Sequence, residues 1–466
     1  MELTSRKHIS HLYWRAGFGI DYTTITNYSS KSISQLVDNL FNTTEVKNLN
    51  VISAEDAKNK PKGAQLNGEE KKEMQKQIRA YGESLNTKWM QQMIEEQNPL
   101  LDKITLFWHG HFACRLQNIF FIQELNSIQR KYALGPFRDL LVAVSQSPAM
   151  LQFLNNQQNR KAHPNENFAR ELMELFTLGR GNYTEKDIKE SARSFTGWMF
   201  DKDSYSFCFN ENQHDNGDKT FFGKTGNFTG DDIINSILQN KQTALYLCSK
   251  LYKFYVNETP PENRVNELAD FYYNNNYDTG KLLKKIFTSP WFYDEENIGV
   301  KIKSPVEFIV GLSRTFGITY KDPKTLLLMQ RGLGQTLFYP PNVAGWAGGR
   351  NWIDSSTLML RLKFPSLIIN GGVIELDIKP DDPDDFKMMN IRMSQKEKVK
   401  EKFQTEANWE KVINTFPKAI SSDQLIGFML LPDLNNQKRS KLTELNTETL
   451  KKVLLQLVSL PEYQMC

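Results

Sequence analysis

The chain lacks most of what would make it a disulfide-stapled, membrane-spanning or nucleic-acid-binding protein. It has four cysteines in 466 residues, Cys114, Cys208, Cys248 and Cys466, far apart and without a CxxC pair. That argues against a disulfide scaffold or a cysteine zinc knuckle and for isolated thiols. No run approaches the roughly 18 apolar residues that a membrane span needs. The first residues, Met1 to His8, do not lead into a signal-peptide core, so the sequence as it stands reads as cytoplasmic. Charge of one sign is lacking too: 58 Lys and Arg stand against 54 Asp and Glu, net +4, scattered along the chain. This gives no basis for a nucleic-acid surface. The GxSxG elbow, the Walker loop and the dinucleotide fingerprint are absent.

What is present is a folded composition, 39% apolar and 24% charged. Apolar residues recur mostly at helical spacing, as in Leu100, Ile104, Phe107 and Trp108. The expected fold is mainly α: a large multi-helix globular protein with a small β-hairpin around 203–224, where Tyr205, Phe207 and Phe209 alternate with smaller polar residues. Residues 1–373 read as the main helical domain, with 52–80 a Lys/Glu-rich surface insertion. Residues 374–400 read as a charged connector, and 401–466 as C-terminal helices packing on the main domain. His8 and His11 read as a polar helix end near the surface.

One stretch, 164–179, carries a concentrated pattern. Phe168, Leu172, Leu175 and Phe176 share one side of a helical wheel, and Glu166, Asn167, Arg170, Glu171 and Glu174 fan across the other. Pro164 suits the start of such a helix and Gly179 its C-cap. Glu166, Arg170 and Glu174 at i, i+4, i+8 describe either a site or a salt-bridged surface helix. Three further places bear chemistry. In His109–Gly110–His111, two imidazoles at i, i+2 reach one metal only if Gly110 bends the backbone. His214 and Asp215 would sit at the tip or flank of the hairpin. The loop 337–352, rich in proline, glycine and aromatics, has the character of a site wall, with Asn342, Trp346 and Trp352 available to a ligand.

These segments, in order, resemble a known family. Arg15 to Gly19, Leu106 to Phe112, Asn165 to Gly179, Phe195 to Trp198, Lys303 to Glu307 and Pro340 to Trp346 look like the bacterial domain-of-unknown-function 1800 family over nearly the whole chain. The resemblance implies a helical protein. Many members look exported, and many look to be encoded beside phosphatase/sulfatase-like enzymes, which makes such an enzyme an expected partner. It assigns no catalytic residue.

Three functions remain open from the residues. In a metal-assisted hydrolase, His109, His111, His214, Glu171 and Glu174 would bind a zinc- or iron-type ion that activates water. Glu166 or Asp215 would take the proton, and Arg170 or Lys219 would hold an anionic group. In a metal-free hydrolase of polysaccharides, two of the carboxylates would act together while Trp346 and Trp352 stack on sugar rings. In a non-catalytic binding or assembly protein, no ionisable groups would converge. For both catalytic readings the polar face of 164–179 should form the buried floor of a shared site.

Overall fold

The computed structural model describes residues 5–42, 46–58, 67–376, 399–435, 437, 439, 440 and 449–466. Most of the expected connector, 377–398, lies outside the described residues, as does 59–66 of the expected insertion. The chain is mainly helical, and the sheets among the described residues are all two-stranded and antiparallel. No described helix is long and apolar enough to cross a membrane.

One hydrophobic core links the N-terminal helix to the last one. The helix Leu100–His111 runs through its middle, buried at nearly every position. Around it pack Ile119–Tyr132, Gly68–Glu95 and Pro305–Phe316. The C-terminal helices Ser422–Met429 and Leu450–Val458 pack against Arg6–Arg15 and Ser355–Asn370. All four cysteines are free thiols, and three are buried.

Three expectations change in detail. The helix Gly68–Glu95 begins inside the stretch read as a surface insertion. Asn67 and Glu70 close a reciprocal capping box at its start, but its buried residues begin only at Gly82. Its first half is therefore largely exposed, with Ile78 and Tyr81 only partly buried against the core. The hairpin resolves into two separate ladders. Trp198–Phe200 pairs with Phe207–Phe209, and Lys219–Phe221 pairs with Lys224–Gly226. Asp201 Oδ1 accepts the N–H groups of Asp203 and Ser204, and Tyr205 sits at φ 59°, so 201–206 is a turn rather than a strand. His11, read as lying near the surface, is fully buried, with its Nε2 3.1 Å from the Phe292 carbonyl.

Candidate functional site

The 164–179 stretch is helical from Asn167, three residues later than the proline suggested. The Asn165 side chain accepts the Asn167 N–H in the preceding turn. From Leu172 to Thr177 the helix widens into a π turn. Thr177 Oγ1 donates to the Leu172 carbonyl at 2.6 Å, and the N–H groups of Leu178 and Gly179 both reach the Met173 carbonyl. Gly179 closes the element at φ 81°. Its apolar face is in the core, as the wheel requires: Phe168, Leu172 and Phe176 are buried.

The polar face is not a buried floor. Arg170 bridges Glu166 at 3.2 Å and Glu185 at 2.9 Å, with all three carrying substantial exposure. Glu174 accepts from Arg180 and, at 2.8 Å, from the Tyr183 hydroxyl. Partial burial pulls the Glu174 carboxyl up, but these two partners outweigh it and leave it below its ordinary value. Glu171 is half-buried and shifted upward, first by desolvation and then by Glu174 beside it. A charged helix with its partners one or two turns away on the surface satisfies itself.

His214 and Asp215 lie elsewhere. His214 is buried and donates from Nδ1 to the Thr196 carbonyl at 2.8 Å. Asp215 grips Arg193 through two bonds of 2.6 and 3.2 Å. The Arg193 hydrogen bond holds the Asp215 carboxyl low, against the upward pull of burial. Lys219 is buried with its Nζ 2.9 Å from Asn227 Oδ1. Burial lowers its pKa. Each group is matched locally.

The histidine pair also separates. Gly110 does not bend the chain, and Leu100–His111 is regular through both imidazoles. Residues two apart on a helix point to different sides. His109 Nε2 accepts the Phe338 N–H at 3.0 Å, and burial pushes this imidazole down to about 3. Phe338 has φ 69°, so a neutral His109 latches a strained residue at the entrance of the tryptophan loop. His111 Nε2 lies 3.0 Å from the Phe176 carbonyl. A carbonyl only accepts, so Nε2 carries the proton and Nδ1 keeps its lone pair. His111 thus caps a free carbonyl at the end of the π turn, beside the Tyr246 hydroxyl on the Leu175 carbonyl and Gln242 on that of Leu178. Among the described residues no three His, Cys, Asp or Glu side chains are gathered so as to hold a metal ion. Of the five expected ligands, His109, His111, Glu174 and His214 are each bonded within separate local structures, and Glu171 is half-buried beside Glu174.

What the structure does assemble is a cavity of about 430 Å³ on the His111 side of the tryptophan loop. One wall is Leu106, Phe107, Gly110 and His111 from the central helix. A second is Lys250, Lys253 and Phe254, with Glu258 just beyond the helix Lys241–Tyr255. Lys301, Ser304 and Glu307 come from the start of Pro305–Phe316, with Gln335 beside them. Trp346, Gly349, Arg350 and Trp352 form the last wall. The loop is fixed by contact with the histidine motif. Gly345, at φ 75°, lies so close to Gly110 that a Cβ there would come 2.3 Å from the Gly110 carbonyl oxygen. Asn342 lies outside the lining. It is exposed, and its Oδ1 accepts the Ala344 N–H in the turn that delivers Trp346.

The charges of this pocket fall into two sets. Glu307 is fully buried and bonded to Lys103, to Lys301 at 3.0 Å and to the Ser304 N–H at 2.7 Å. Desolvation raises this carboxyl, yet the two ammonium groups win and hold it well below the ordinary range. The second set is unmatched: Lys250, Lys253, Arg350 and Glu258 are in no ion pair among the described residues. Lys250 is half-buried with Nζ 5.3 Å from the centre of the Tyr246 ring. Burial, helped by Lys253, lowers it to about 8. Glu258 Oε1 is buried with no hydrogen-bond partner, and so is His111 Nδ1.

Sequence reasoning found His111, Trp346 and Trp352 of this pocket, and the Lys303–Glu307 segment among the family-like motifs. It missed Lys250, Lys253, Glu258, Gln335 and Arg350. No curated protein and no solved structure matches the chain. A family model described as a protein of unknown function (DUF1800) matches residues 11–465, and the chain belongs to that family.

Proposed function

We propose that this protein recognises an anionic saccharide-type ligand, a sugar ring carrying phosphate or carboxylate, in the pocket beneath the tryptophan loop. One observation carries the reading: three cations without ion-pair partners line the cavity together with Trp346 and Trp352. Lys250 is half-buried, and an unpaired cation there gains most from an anion; Lys253 and Arg350 are exposed and add charge beside it, and the face of an aromatic ring suits a sugar ring. Lys301 and Glu307 contribute less to the net charge, because each largely neutralises the other.

This reading keeps the sugar platform expected from Trp346 and Trp352 and moves the anion-holding role from Arg170 and Lys219 to Lys250, Lys253 and Arg350. For the metal-assisted reading, the described residues offer no gathered set of ligands. At neutral pH Lys250 is mostly charged and close enough to its midpoint to exchange a proton with a bound ligand.

Calorimetric titration with glucose 6-phosphate and with glucose tests the proposal. Measurable binding of the phosphate sugar, weakened about tenfold by Trp346→Ala and by raised salt, is the expected result. Equal behaviour of the two sugars, or binding indifferent to Trp346→Ala and to a combined Lys250→Ala/Lys253→Ala change, would remove it.

A further inference from the structure

The pocket is not uniformly positive. Among its cations it holds a carboxylate oxygen, Glu258 Oε1, that is buried without a hydrogen-bond partner. The carboxylate is pressed against the loop: a Cβ on Gly349 would stand 2.8 Å from the Glu258 carboxyl carbon and from both its oxygens. Gly349 has φ 56°, a conformation suited to glycine, so the turn brings backbone against this acid without covering it with a donor side chain. The other acceptor without a partner is the Nδ1 lone pair of His111, held in that tautomer by the Phe176 carbonyl. Buried acceptors left without donors are costly, so a ligand that supplies a donor to either one gains a hydrogen bond there.

Resting on the anionic-saccharide reading, we infer that the ligand is amphoteric: an amino sugar bearing an acidic group, whose ammonium bonds Glu258 while its anion lies against Lys250, Lys253 and Arg350. An ammonium offers donors and the charge that a lone carboxylate lacks, which a hydroxyl does not match. Glu258 lies just past the helix that bears Lys250 and Lys253 and against Gly349 beside Arg350, so the ammonium and the anion of the ligand would be held at neighbouring points, with the ring against the tryptophans.

Three probes of one size class separate the poles: glucosamine 6-phosphate, glucose 6-phosphate and N-acetylglucosamine 6-phosphate, whose nitrogen carries no charge. Each is titrated into the full chain and into Glu258→Gln, whose fold is checked by its melting transition. The wild type should prefer glucosamine 6-phosphate to both others by about tenfold or more. Glu258→Gln should erase that preference while retaining affinity for glucose 6-phosphate. Equal affinity of the wild type for the three overturns the inference and leaves the anionic reading standing. A preference that survives in Glu258→Gln also overturns it. Absence of binding by all three overturns both. The comparison within the wild type needs no variant, so it decides the inference even if Glu258→Gln fails to fold.

Discussion

The helix at 164–179 and the pocket under the tryptophan loop are both rich in charge, and they use it in opposite ways. On the helix, Glu166, Arg170, Glu174, Arg180 and Glu185 find one another at the surface, where water also solvates them. In the pocket, Lys250 and Glu258 line one cavity with no ion pair, and one oxygen of the half-buried acid has no hydrogen-bond partner. Charge density alone does not mark a site. Charge left unmatched where solvent is partly excluded does. The two regions are nonetheless connected. The π turn offers its last carbonyls to His111, Tyr246 and Gln242, and the Tyr246 ring carries the Lys250 ammonium. The helix acts as a buttress behind the pocket.

Several changes would break or sharpen this contrast. The largest effect belongs to the one matched set inside the pocket wall. Glu307→Ala leaves Lys103 and Lys301 buried without their acid, and should cost about 3–5 kcal/mol in chemical denaturation. A loss under about 1 kcal/mol would mean that water reaches this pair and that the wall is open.

Acid should destabilise the protein through the buried imidazoles. His109 titrates at about 3 in the fold against 6.5 ordinarily, so between those values the unfolded chain binds the proton and the native one does not. Stability from this group is fully present above 6.5 and falls as pH drops, by about 2 kcal/mol between pH 6.5 and 5. Denaturation at the two pH values should show a smaller drop in His109→Gln than in the wild type. An unchanged difference would place the latch on Phe338 elsewhere.

Ligand affinity should depend on Lys250. With its midpoint near 8, raising pH from 7 to 9 discharges most of the ammonium while a sugar phosphate stays doubly charged. Affinity for glucose 6-phosphate should fall roughly tenfold across that range in the wild type and much less in Lys250→Arg. A flat profile would detach Lys250 from the anion. The smallest effect is expected on the helix. Glu174→Ala loses a surface pair and should change stability by less than about 1 kcal/mol, without altering binding.

Helices with an apolar stripe were legible in the sequence because burial of that stripe is what makes them helices. Leu100–His111 and the apolar face of 164–179 are of this kind. The first half of Gly68–Glu95 was not, since Lys and Glu dominate it, a cap holds its start and only Ile78 and Tyr81 in it reach the core. The strand pairing failed at Tyr205, where a local Asp201 turn overrode an alternating pattern. For the site, the histidine motif and the tryptophan loop stood out because glycines and prolines interrupt helical spacing there. Their contact through Gly110 and Gly345 joins residues 235 positions apart, and no spacing announces it. Lys250 and Lys253 sit on an ordinary amphipathic helix and Glu258 just past its end. Only the fold shows that they lack partners. The expected floor failed because the same i, i+4 spacing that gathers carboxylates also gathers their counter-ions.

The most direct test sets the two regions side by side in one titration of glucose 6-phosphate into the wild type, Lys250→Ala and Arg170→Ala. Unmatched charge predicts that Lys250→Ala weakens binding about tenfold while Arg170→Ala leaves it within a factor of about two. Loss of binding in Arg170→Ala, with Lys250→Ala unaffected, would return the site to the helix and contradict the assignment of the pocket.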